Sequence, residues 1–322
     1  MIFVTIVLFF VLVMIGIPIA FSFGIGALFH FFISNPSNSI VLVTRSFASL
    51  DSFALMAIPL FVLAGDVMKE GEISKYLVNL INSVIGKIRG ALAHVTVVAS
   101  LFFGAVSGSA AATVAAIGGI MIPEMIKSGY PRDKAVVIAA FYGMLGVLIT
   151  PSNPLIIYGF NAEVSIVKLF LGGLVPGILM AIGFIIVNVF VYKKKATNEE
   201  VAASSEKANV DYSREEPEQR NSFIKNLLVT LPALFMPVII LGGIYSGIFT
   251  PTESGAVAAL YGIIVALFVY RSMTIKKLIY ISGQSTLLSA VILLIIGFAG
   301  VFGWLITTEQ VPLKLAEFVT GI

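Results

Sequence analysis

The chain has 322 residues, of which 58% are hydrophobic and 11% charged, with a mean hydropathy of +1.04. That much apolar surface excludes a water-soluble globular domain, so an integral membrane protein is expected. The net charge of +3 comes from short basic clusters between apolar runs, which read as topology signals rather than a nucleic-acid surface, and the lack of cysteine excludes disulfides, thiolate metal sites and cysteine nucleophiles.

In chain order, ten segments are apolar enough to cross or enter a bilayer about 30 Å thick. They lie near 2–16, 18–33, 53–68, 90–106, 110–127, 133–160, 166–192, 224–246, 250–270 and 285–306. The first has no Lys or Arg ahead of it and no convincing cleavage site, and it reads as a retained anchor. Strands in lipid must close a barrel to satisfy their backbone groups, and the alternating pattern of a barrel is absent. The fold class is therefore an all-α polytopic membrane protein. Residues 72–90 and 307–322 are amphipathic and read as helices lying along the interface, with Lys and Glu outward and Leu, Ile and Val inward.

Residues 193–222 hold 13 of the 37 charged residues and form the one solvated linker. Lys193, Lys194 and Lys195 mark it as cytoplasmic, as do Arg271, Lys276 and Lys277 one helical hairpin later. Counting spans backwards puts Lys69, Lys75, Lys87, Arg89, Lys127, Arg132 and Lys134 on the same side and the amino terminus outside. Each amphipathic stretch follows a helical hairpin and one further segment, and the linker makes the second copy run opposite to the first. That pattern is an inverted repeat, as in many secondary transporters. The division expected is scaffold helices and interfacial arm of the first repeat at 1–90, and its transport-domain hairpin and broken helix at 91–192. The linker follows at 193–222, then the scaffold helices and arm of the second repeat at 223–322. On this reading the chain stops halfway through its second repeat.

Two stretches interrupt the apolar pattern. In "GAVSGSAAATVAAIGG" (104–119), Ser107-Gly108-Ser109 divides two arms each too short for a comfortable span, which predicts a hairpin with its tip at mid-membrane. In "ITPSNPLIIYG" (149–159), Pro151 and Pro154 remove two backbone donors and force an unwound stretch. Broken helices persist in lipid only where they line a site. Hydroxyls and freed carbonyls suit a hard monovalent cation without a buried carboxylate. Ser107, Ser109, Thr113, Thr150, Ser152 and Asn153 are the candidate oxygen cage. The helix starting after Ser109 aims its positive end at the tip, where an anionic substrate group meets Ser109 and Asn153. The bland readings are also open: Gly104/Gly108, Gly173/Gly177 and Gly243/Gly247 have the G-x-x-x-G spacing of close helix packing, hydroxyls bond back to their own carbonyls, and proline pairs kink helices.

Of the other polar residues, His30 and His94 read as interfacial or hydrogen-bonded, Asp66 as a boundary residue near Lys69, and Glu253 in "FTPTES" as a dipole or capping partner in a first helical turn. Three readings are open: two of one class, a subunit of an ion-driven carboxylate transporter and a stand-alone ion-coupled carrier, and from another class an intramembrane serine hydrolase around Ser107. The last lacks a base, because no His follows residue 94.

"GAVSGSAAATVAAIGGIMIPEMIKSGYPRDKA", "ITPSNPLIIYG", "FLGGLVPGILM" and "LPALFMPVIILGGIYSGIFTPTESGAVAALYG" together resemble the large membrane subunit, DctM-like, of the tripartite ATP-independent periplasmic (TRAP) transporters. The resemblance implies Na⁺-coupled uptake of an organic acid such as a C4-dicarboxylate or sialic acid. It also implies an extracytoplasmic binding protein and a small four-helix membrane subunit as partners, elevator motion, a bacterial or archaeal inner membrane, and no enzyme activity or cofactor beyond Na⁺. It places cation ligands at the Ser-Gly-Ser tip and the proline-rich break, residues 107–109 and 150–154 here, so that with Thr113 from the hydroxyl pattern the candidate cation ligands are Ser107, Gly108, Ser109, Thr113, Thr150, Pro151 and Ser152. The family's "PPS-x-P" here reads Thr150-Pro151-Ser152-Asn153-Pro154, with Thr for the first proline. The family's second hairpin and second proline-rich break would lie beyond residue 322, so a fragment or truncated gene product is expected.

Overall fold

The computed structural model describes residues 1–34, 39–86, 88, 90–193 and 222–320. The linker at 193–222, apart from Lys193 and Ser222, lies outside the described residues, as do Lys87, Arg89 and residues 321–322. No strand occurs among the described residues, and the all-α membrane fold class holds. Five helices are long and apolar enough to cross a bilayer, or seven if each of two sharply bent pairs counts as one span. The chain divides into two compact units, residues 1–55 with 286–322, and residues 56–285.

The first unit contains α1 (Ile2–Met14), α2 (Ile19–Ser34), α3 (Ser39–Ala48), residues 286–308 of α13 (Ile275–Thr308), and α14 (Val311–Thr320). The first two expected segments prove short: 13 and 16 residues reach about 20 and 24 Å, less than a hydrocarbon core. Gly16, at φ +94°, and Pro18, which has no N–H, end α1 and turn the chain into α2. Ile2, Ala27, Phe31, Leu42, Val301 and Leu305 form the core. His30, buried, meets Thr5 at 3.2 Å and Glu309 at 3.6 Å, in keeping with a hydrogen-bonded role. Helix α14 follows a turn at Gln310 (φ +52°); its Val311 packs on this core, and Leu313 and Leu315 are exposed.

The second unit centres on α6 (Ala91–Ser107), buried on almost every face, His94 included. Around it lie α4 (Ala57–Glu70), α5 (Ile73–Ile85), α7 (Ala110–Lys127), α8 (Arg132–Leu148), α9 (Asn153–Asn161), α10 (Ile166–Lys193), α11 (Ser222–Tyr245) and α12 (Pro251–Val269). Ser254, Gly255, Ala258, Ala259 and Gly262 make one small-residue face of α12, which packs on α4. A Cβ at Gly255 would stand 3.0 Å from Leu60, and one at Gly262 3.3 Å from Val67. The amphipathic reading of 72–90 corresponds to α5, which buries Ile73, Leu77, Val78, Leu80 and Ile81 and keeps Lys75 in solvent. Asp66 accepts a 2.6 Å hydrogen bond from Ser285, while Lys69 and Lys277 both pair with Glu70. Thr250 and Glu253 form a complete capping box at the start of α12, the role expected of Glu253.

The segment at 133–160 is divided by a 41° bend into α8 and α9, at the proline break expected there. Helix α3 falls in none of the ten expected segments. Arg45 and the hydroxyls of Thr44, Ser46 and Ser49, which bond back to α3 carbonyls, hide that helix from a hydropathy reading.

Candidate functional site

Both interruptions are real breaks, and they meet inside the second unit. Helix α6 ends at Ser107 because Gly108 takes the left-handed conformation, φ +61°, with its N–H bonded to the Gly104 carbonyl at 3.0 Å. Ser109 is extended and caps α7, its Oγ accepting the Ala112 N–H at 3.3 Å. Further along, α8 stops at Leu148, Ile149 and Ser152 are extended, the Thr150–Pro151 peptide is cis, and α9 resumes at Asn153 with Pro154 in its first turn. The Asn153 N–H donates to the Gly108 carbonyl at 3.1 Å, joining the two breaks through their backbones.

Glycine makes the approach possible. A Cβ on Gly108 would lie 2.7 Å from the Pro151 carbonyl oxygen, and one on Gly104 2.6 Å from the Gly146 Cα. On α8, a Cβ at Gly146 would fall 2.1 Å from Thr113 Oγ1, and one at Gly143 2.2 Å from Val114 Cγ2. Gly143 and Gly146 thus form a notch that receives the first turns of α7. On α4, Gly65 leaves room for Ser107, whose Cβ is 2.9 Å from where a methyl would be. The packing reading of Gly104 is therefore also right, whereas Gly108 serves the break itself.

The side-chain oxygens fall into two groups. Thr113 Oγ1 donates to the Ser109 carbonyl at 2.8 Å and stands 3.3 Å from Ser107 Oγ; Ser107 is also 3.5 Å from the Ser109 carbonyl. With the Thr113 proton committed to that carbonyl, the Ser107 hydroxyl is the donor of the pair, and its oxygen accepts the Ser109 N–H at 3.5 Å, which leaves one lone pair. In the proline break, Ser152 Oγ and the Asn153 amide oxygen are buried without a hydrogen-bond partner. Orphaned buried oxygens are rare and costly, and a bound water or ion would satisfy these two. Thr150, fully buried, spends its hydroxyl on Tyr245, the last residue of α11. Pro151 contributes its carbonyl, facing Gly108.

All eight candidate residues thus lie in one neighbourhood, supplied by α6, α7 and the α8–α9 break. Sequence reasoning missed Gly65, Gly143, Gly146 and Tyr245. The spacing of Gly143 and Gly146, three apart on one helical face, was a visible signal; Tyr245 left none. Chemically, the place offers hydroxyl and carbonyl oxygens and the positive end of the 18-residue α7. Among the described residues no group of three His, Cys, Asp or Glu side chains could hold a metal ion. A serine-hydrolase reading fails on geometry, since His94 is 13 residues from Ser107 on the same helix, about 20 Å away at 1.5 Å per residue.

The chain matches the family described as "Tripartite ATP-independent periplasmic transporter, DctM component" over residues 6–322. It is 37% identical over 308 residues to the isethionate TRAP transporter permease protein DctMQ of Oleidesulfovibrio alaskensis, covering 96% of this chain and 46% of that protein. It is also 37% identical over 308 residues to the C4-dicarboxylate TRAP transporter large permease protein DctM of Pseudomonas aeruginosa, covering 94% and 67%. With the sialic acid TRAP transporter large permease protein SiaM of Vibrio cholerae it shares 34% identity over 307 residues, covering 95% and 68%. The chain therefore spans about half of the first of these relatives and about two thirds of the other two.

Proposed function

We propose a function from one premise: this chain belongs to the family of the DctM component of the tripartite ATP-independent periplasmic transporters. It acts as large-subunit sequence of a membrane assembly that takes up an organic acid with sodium as the coupling ion. The acid is delivered by an extracytoplasmic binding protein, and a small four-helix membrane subunit completes the assembly. The assembly sits in the cytoplasmic membrane with the amino terminus of this chain outside. The printed names of the relatives give isethionate, C4-dicarboxylates, sialic acid and 2,3-diketo-L-gulonate as their cargo, all anions at neutral pH.

The observation that carries this reading is the meeting of two broken helices around buried oxygens, two of which have no partner. Hydroxyls of Ser107, Thr113, Thr150 and Ser152 with the carbonyls of Gly108, Ser109 and Pro151 supply the kind of shell that a sodium ion needs. A bound cation and the amino end of α7 together favour an acid group beside Ser109 and Asn153. The glycine contacts that lock α6, α7 and α8 together support an elevator, in which the broken helices carry cation and acid as one body past a fixed scaffold.

The test is sodium-driven uptake by the full assembly in proteoliposomes. Ser107→Ala raises the sodium concentration for half-activation by about tenfold or more, the scale of losing a group that holds a metal ligand, with membrane abundance unchanged. Normal sodium activation in both Ser107→Ala and Ser109→Ala refutes the cation site.

A further inference from the structure

Thr150 is held from two sides. Its methyl faces α10, where Gly173 leaves room; a Cβ there would sit 3.4 Å from Thr150 Cγ2. A β-branched side chain has few rotamers, so a methyl packed on one side fixes the direction of the hydroxyl on the other. That hydroxyl meets the phenol of Tyr245, 95 residues later in the chain. The phenol is itself carried on a closed turn. The Ser246 N–H bonds to the Gly242 carbonyl at 3.0 Å, Gly247 takes φ +74°, and the Phe249 N–H returns to the Gly243 carbonyl at 3.0 Å. The Phe249 ring fills the place of a Cβ on Gly243, and the turn leads directly into the capped start of α12. Of the three polar side chains around Pro151, Thr150, Ser152 and Asn153, only Thr150 is given a side-chain partner by another helix, while Ser152 Oγ and Asn153 Oδ1 have none.

We propose that Tyr245 is the positioning residue of the proline break, taking the Thr150 hydroxyl proton so that the oxygen of Thr150 is presented, lone pairs free, to a monovalent cation. The proposal rests on the reading of residues 107–109 and 150–152 as a cation site. Either hydroxyl of the pair can donate, but with a cation on Thr150 only the arrangement in which Thr150 donates to Tyr245 leaves its lone pairs available. Without the phenol, a buried threonine hydroxyl turns back to a carbonyl of the preceding turn, which withdraws its oxygen. Tyr245 thus does for Thr150 what outer partners do for metal ligands generally, which is to fix orientation and basicity without touching the ion.

The experiment is a mutant cycle in the full reconstituted assembly, with Tyr245→Phe, Thr150→Val, the double variant, Thr150→Ser, and Ser107→Ala as a report on the cation site itself. Sodium half-activation and the KM for the transported acid are both measured. The expected result is that Tyr245→Phe and Thr150→Val each raise the sodium half-activation by about tenfold, on the scale of outer-partner loss. The double variant is then no worse than the poorer single, Thr150→Ser, which keeps the hydroxyl and loses the methyl, falls between the parent and Thr150→Val, and the KM for the acid at saturating sodium is unchanged. Additive effects of the two substitutions, or an unchanged sodium response in Tyr245→Phe, overturn the proposal. An unshifted sodium half-activation in Ser107→Ala counts against the hydroxyl cluster as the cation site, while the 245/150 cycle still decides whether Tyr245 positions the break.

Discussion

Replacing Gly108 by alanine perturbs the point where the two breaks touch. The residue sits at φ +61°, and an L-residue held there costs about 1–2 kcal/mol. The new methyl lies 2.7 Å from the Pro151 carbonyl oxygen, a backbone atom that cannot rotate aside, and overpacking of this kind costs about 1–3 kcal/mol. The two terms act on the same atom and together destabilise by about 2–5 kcal/mol. Gly119→Ala is the matched control. It lies on α7, has helical φ and has nothing within 4 Å of its Cβ position, so it relieves the helix cost of glycine, about 0.5–1 kcal/mol. Thermal unfolding of the purified assembly in detergent, with and without sodium, reads both. Gly108→Ala lowers the midpoint and loses the stabilisation that sodium gives, whereas Gly119→Ala raises the midpoint and keeps it. Should Gly108→Ala unfold at or above the temperature of Gly119→Ala, the close approach of the breaks is not as described.

Two further outcomes are expected besides those for Ser107 and Tyr245. Gly65→Ala sets a methyl 2.9 Å from Ser107 Cβ, so it weakens sodium activation of uptake in the manner of Ser107→Ala, while its helical backbone spares it the strain of Gly108→Ala. An unfolding midpoint as low as that of Gly108→Ala, with sodium activation intact, goes against this. Thr250→Ala removes the capping box of α12 and costs about 1 kcal/mol, seen as a lower midpoint with sodium half-activation unchanged. An unaltered midpoint shows that α12 is held by its packing on α4 alone.

The breaks were legible because their causes are local. Gly108 takes its left-handed turn among residues that no lipid-facing helix favours, and Pro151 and Pro154 bar helical geometry within a few positions of themselves. The capping box at Thr250 and the buried face of α5 follow from spacings of three or four residues, which sequence displays directly. What was not legible depends on partners far along the chain. Asp66 reads from the sequence only as a boundary residue, because Ser285, 219 residues away, gives no sign that it lies opposite. Tyr245 at the end of a hydrophobic helix looks like an interfacial aromatic until the fold delivers Thr150 to it. The shortness of α1 and α2 escaped a hydropathy reading for another reason. Hydropathy measures how well residues suit lipid and says little about where the backbone turns.

The bond from the Asn153 N–H to the Gly108 carbonyl has a practical consequence for assigning roles. Residues 107–109 and 150–153 are mechanically linked at the backbone, so damage to one strand of the link is transmitted to the other whichever side chain was altered. Groups coupled this closely do not give additive free energies. A single substitution among these seven positions therefore tests whether the linked pair of breaks holds the ion, and pairwise cycles or direct detection of the ion then separate the residues that hold it from those that hold each other.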